Sequence, residues 1–110
     1  MKDVYLDDER PTPPGWHRCY HVHEVIALIK AGEVRKLSLD HDLGVDENSL
    51  IEKTGYHLVL WMVENNRWPR EKPTVHSANP VGAMVMRDMI ERWFQKDWKE
   101  ELAERERRRA

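Results

Sequence analysis

The sequence holds a single cysteine, Cys19, among its 110 residues, which excludes an internal disulfide framework. With no motif around it, Cys19 reads as a small packed side chain, and its solitude agrees with a reducing, cytoplasmic location. No apolar run approaches the length of a membrane span, and the N-terminus places Asp3 and a strand where a secretory leader needs a basic start and an apolar stretch. No membrane partner is expected. A basic excess is missing too: the formal net charge of −2 gives no global field for bulk DNA binding, although a nucleotide-sized ligand needs none. There are no internal repeats and no linker between domains. At 40% hydrophobic and 35% charged residues, the chain has material for one compact core.

What is present is an alternation of short apolar strands and helical stretches. Asp3 to Asp7 reads as a buried first strand, stopped by a loop, Glu9 to Gly15, whose prolines forbid a helix. Trp16 to Tyr20 reads as a second strand, although the loop before it is near or below the usual length of a parallel crossover. Val22, Val25, Ile26 and Ile29 fall at helical spacing and Gly32 is a plausible stop. Arg35 to Asp40 is the next strand, followed by a polar loop over Val45 to Lys53. Thr54-Gly55 opens a helix whose Leu58 to Val63 run is apolar nearly all round, hence packed on more than one side. Thr74 to His76 is a last strand. Asn79-Pro80 starts the final helix, asparagine as N-cap and proline at the first helical position, with Val85, Met89 and Trp93 on one stripe and Met86 and Ile90 beside it. The pattern predicts a small three-layer α/β domain over residues 1–97, flavodoxin-like, with a mostly parallel sheet of three or four strands. A charged helical extension over 98–110 follows, its arginines reading as solvated charge at a helix C-terminus.

Three predicted strands finish in polar groups: Asp7-Asp8, Asp40-His41-Asp42 and His76-Ser77. In a parallel sheet those ends share one edge, the edge where open α/β folds bind ligands. A single aspartate usually caps a turn. Paired acids at two strand ends are a different matter, and Asp7, Asp8, Asp40 and Asp42 together offer hard oxygen donors for Mg²⁺ or Mn²⁺. A lone histidine is usually a hydrogen-bonded structural group, but His41 and His76 at one edge, with Asp40 beside them, are candidates for proton transfer. The segment from Ser77 through Asn79 to Val81, Gly82 and Ala83 is a candidate phosphate seat, because the first turn of a helix leaves amide donors unpaired. Arg10, on the proline loop, completes that seat.

These residues carry a resemblance. Leu6-Asp7-Asp8-Glu9-Arg10-Pro11, Gly15-Trp16, Leu37 to Gly44, Thr54-Gly55-Tyr56 and His76 to Met84 together resemble the cyclic-phosphate processing receiver-like domains, over the stretch from Val4 to about Phe94. That family is similar to response-regulator receivers, whose acidic pair resembles Asp7-Asp8, whose phospho-accepting aspartate resembles Asp40 and whose Ser/Thr on a later strand resembles Ser77. The departures are a proline loop in place of the first receiver helix and no final strand with its lysine, which points away from ordinary phosphorelay. The resemblance implies a phosphodiesterase-type hydrolase acting on a cyclic phosphate of a nucleotide, a nucleotide-derived metabolite or an RNA end. The alternative is a non-enzymatic receiver-like module that binds a phosphoryl group or nucleotide.

Overall fold

The computed structural model describes residues 1–40 and 55–94, together with 103, 104 and 106–108. The elements are β1 (Lys2–Leu6), β2 (His17–Cys19), α1 (Val22–Lys30), β3 (Val34–Leu39), α2 (Gly55–Asn65), β4 (Thr74–Val75) and α3 (Pro80–Trp93). The strands form one sheet in the order β2-β1-β3-β4, and every pairing is parallel. This α/β fold on a parallel sheet is what the alternation of elements predicts, and it agrees with the receiver-like architecture that the resemblance implies.

The second strand forms despite its short connection because the register asks little of the loop. Val4 pairs with His17 and Leu6 with Cys19, so the chain steps one strand sideways, about 5 Å, and back about 7 Å along β1. The two helical connections β2-α1-β3 and β3-α2-β4 both move across the sheet in the same direction, so right-handed crossover puts their helices on the same face. That face carries Val4, Leu6, Cys19, Leu37, Leu39 and Val75, packed with Val25 and Ile29 of α1, Leu58 and Met62 of α2, and Met86 and Ile90 of α3. The opposite face is layered by the proline segment: Trp16 meets the Tyr5 ring edge-on at 6.3 Å, and Arg18 reaches Thr12. Among the described residues the third layer is therefore extended chain.

Helix ends follow local chemistry. The Glu24 carboxylate accepts the amides of Tyr20 and His21, which would otherwise go unpaired at the start of α1. Beyond α1, Gly32 takes φ 71° and the Glu33 amide closes on the Leu28 carbonyl at 3.0 Å. Asn66 does the same for α2, at φ 49°, with the Arg67 amide on Met62 O; both are left-handed C-terminal caps. The two stripes of α3 differ in burial. Ala83, Met86 and Ile90 are buried, whereas Val85 and Trp93 are exposed, because the sheet and α2 cover only one side of this helix. Residues 103, 104 and 106–108 are again helical, with Glu104 paired to Arg107 and Arg108.

Cys19 has no exposed surface, and burial, with Glu24 nearby, pushes its thiol up to about 11 from an ordinary 9.0. It is expected to resist a disulfide reagent at pH 8 until the chain unfolds; reaction at a free-thiol rate would contradict this packing. The folded pKa lies above the unfolded one. The thiol's stabilising contribution is therefore complete below about pH 9 and lost as pH rises toward about 11. Urea titrations across that window should show a shallower decline in Cys19→Ala than in the parent chain.

Candidate functional site

Strand register assembles the site. On β1 and β3, Tyr5 pairs with Ser38 and Leu6 with Leu39; on β3 and β4, Ser38 pairs with Thr74 and Leu39 with Val75. The next residue on each strand is Asp7, Asp40 and His76. Main-chain bonds continue the ladder there, from Asp40 N to Leu6 O and from His76 N to Leu39 O, both 3.0 Å. Side chains alternate along a strand, so these three share a face with Tyr5, Ser38 and Thr74, away from the helices. The predicted meeting of polar strand ends is what the structure shows for Asp7, Asp40 and His76.

Asp7 is the hub, with no exposed surface. Its Oδ1 accepts the amides of Glu9 at 2.8 Å and Arg10 at 2.9 Å, an Asx turn that starts the proline segment. Its Oδ2 lies 3.0 Å from His76 Nε2 and 3.3 Å from Arg10 Nη1. Burial alone raises this carboxyl's pKa, but the amides of Arg10 and Glu9 and the contact with His76 outweigh it, and the net shift is downward. An ionised Asp7 only accepts hydrogen bonds, so His76 must carry its proton on Nε2. In the neutral ring Nδ1 is then an acceptor, and the Ser38 hydroxyl, 2.7 Å away, donates to it. The ring also stacks on Tyr5, 4.2 Å between centroids and 4° from parallel. Both nitrogens and one face of His76 are thus committed within the fold.

Arg10 joins the cluster. Its Nη1 donates to the His76 carbonyl at 2.9 Å and stands 3.7 Å from Asp40 Oδ1. Asp7, Asp8 and Asp40 can each bring one carboxylate oxygen within 4.8 Å of the others. Arg18 supports the arrangement from β2, donating through Nε to the Asp7 carbonyl at 3.2 Å. The phenol of Tyr5 has its pKa raised, first by burial and then by the charge of Asp7.

The expected phosphate seat needs correction. Asn79 caps α3, but its side chain accepts the Gly82 amide at 3.0 Å and its carbonyl accepts the Ala83 amide at 2.9 Å. Ala83 makes the first regular helical bond, so it was never among the orphan donors, and the cap takes Gly82. Gly82 and Ala83 are buried while Val81 is exposed. Ser77 Oγ accepts the Asn79 amide at 3.0 Å, leaving its own hydrogen to donate. Since Ser77 follows His76 directly, the turn into α3 begins at the site. His41 and Asp42 lie outside the described residues. The residues that sequence reasoning missed are Tyr5, Ser38 and Arg18; for Tyr5 and Ser38 the available signal was a hydroxyl-bearing side chain between apolar neighbours on a buried strand, where a buried hydroxyl demands a partner, whereas Arg18, between His17 and Cys19, carries no such signal.

Searches of curated proteins and of solved structures returned no match. A family model does match, over residues 2–92, and by it the chain belongs to the cyclic-phosphate processing receiver domains.

Proposed function

We propose that the protein is a phosphodiesterase-type hydrolase that opens a cyclic phosphate on a nucleotide, a nucleotide-derived metabolite or an RNA end. The observation that carries this reading is the convergence of Asp7, Asp8, Asp40, Arg10 and His76 beyond the strand ends in a chain of this family. The donor set fits a hard divalent cation such as Mg²⁺ or Mn²⁺: three carboxylates in mutual reach, with a guanidinium nitrogen already standing among them as a positive charge. When bound, such a cation would neutralise charge growing on phosphoryl oxygens.

The chain's own residues divide the remaining work. Arg10 and the Ser77 hydroxyl supply donors for the phosphate. His76, with both nitrogens engaged, orients Asp7, and acid–base duty toward the substrate falls to His41, next to Asp40 in sequence.

The test is a panel of cyclic phosphates incubated with and without Mg²⁺ or Mn²⁺ and followed by phosphorus NMR. A monoester resonance should replace the cyclic one, and Asp40→Asn and His41→Ala should each slow it by roughly 100-fold or more. Unchanged turnover in both variants would refute the assignment. The internal engagement of His76 favours one second reading, a phosphoryl- or nucleotide-binding regulatory module. Tight binding of a cyclic phosphate with no turnover would select it.

A further inference from the structure

Asp7 has its acceptor positions filled. Two carboxylate oxygens offer about four lone-pair sites, and these meet the Glu9 amide, the Arg10 amide, His76 Nε2 and Arg10 Nη1. A cation that uses Asp7 must replace one of them. The two amides belong to the turn that enters the proline segment, and the imidazole is clamped by Ser38 and by the Tyr5 stack. The guanidinium contact differs. At 3.3 Å it is the longest of the four, its side chain is 39% exposed, and its nitrogen bonds better to the His76 carbonyl, at 2.9 Å.

We propose that the Arg10 guanidinium is the resident counter-cation of the acidic cluster, and that a divalent cation binds by expelling it and so turns it outward onto an anionic phosphate group. This rests on the cation- and phosphate-handling reading above and adds its order of events. One positive charge leaves Asp7 and Asp40 as two arrive. The displaced guanidinium, planar and permanently charged, suits phosphate oxygens. Cation and phosphate therefore strengthen each other's binding, and by linkage the effect is reciprocal.

The experiment uses the whole chain without substrate. Free Mn²⁺ is measured by electron paramagnetic resonance and inorganic phosphate binding by calorimetry. Arg10→Gln should bind Mn²⁺ about tenfold more tightly than the parent protein, since a competing positive charge has gone. Arg10→Lys, which keeps the charge, should stay close to the parent, and thermal melts check that each variant is folded, with Arg10→Met standing in should glutamine fail. In the parent, Mn²⁺ should raise phosphate affinity, and in Arg10→Gln the increase should be smaller. Mn²⁺ bound by the uncharged variants no more tightly than by the parent, or not at all, overturns the proposal. So does an equal phosphate enhancement in both. Hydrolysis is followed separately by phosphorus NMR, so either failure leaves the hydrolase reading standing.

Discussion

Asp7→Ala is expected to destabilise the fold by about 3 to 5 kcal/mol, the range for removing one partner of a buried charged network. The loss goes beyond one bond. The amides of Glu9 and Arg10, the His76 Nε2–H and the Arg10 guanidinium all lose their acceptor at once, and a buried donor left unmet costs its desolvation. Asp7→Asn separates charge from shape. Its carbonyl still takes the two amides, but its NH₂ would face a nitrogen that also carries a proton. The imidazole answers by moving its proton to Nδ1, where Ser38 Oγ can accept it. The expected loss is smaller, about 1 to 2 kcal/mol, with an exchange of the two His76 ring-nitrogen signals in ¹⁵N NMR. Because the folded pKa of Asp7 is depressed, its contribution is present above the unfolded carboxyl range near 3.9 and lost as pH falls through the folded value. Asp7→Asn should therefore show a shallower acid limb in denaturant titrations than the parent. An alanine variant that unfolds at the parent's denaturant concentration would remove Asp7 from the centre of the site.

Much of this arrangement can be read from residues alone, for reasons that are local. Asn79-Pro80 announces a helix start because asparagine accepts an early amide and proline lacks one. Gly32 announces an end because only a few residues take φ 71° without strain. The acids at the ends of β1 and β3 are visible because apolar strands stop abruptly at them. What the sequence conceals is register. A shift of two residues between β1 and β3 would keep Val4, Leu6, Leu37 and Leu39 on the packed face yet carry Asp7 about 7 Å along the strand from Asp40, and the alternation within either strand does not exclude it. Tyr5 and Ser38 show in the sequence as hydroxyl groups between apolar neighbours, but their value, one rung below Asp7, Asp40 and His76, depends on that register. The amides expected for a phosphate seat are taken for a different cause: the asparagine that makes the helix start also consumes the Gly82 amide.

Gly55→Ala is expected to be severely disruptive, and in the direction opposite to helix propensity. Within a helix alanine is favoured over glycine by about 1 kcal/mol, so propensity alone predicts a gain. Packing predicts the reverse. A Cβ on Gly55 would drive into the Asp40 carbonyl oxygen, while also meeting the Asp40 carbonyl carbon at 3.0 Å and Leu39 Cδ1 at 3.1 Å. The leucine methyl can rotate aside; the carbonyl belongs to the residue whose amide is held on Leu6 O and whose side chain lies beside Arg10. Either α2 withdraws from the sheet or Asp40 leaves the acidic cluster. We expect a loss of about 3 kcal/mol, the upper part of the range for overpacking a core. Mn²⁺ binding should fall together with stability, because the same displacement moves Asp40. Calorimetric melting and Mn²⁺ titration of one preparation decide the matter: an alanine variant that melts higher and binds Mn²⁺ as the parent does would show that α2 does not abut Asp40, and that the spacing of the acids is set elsewhere.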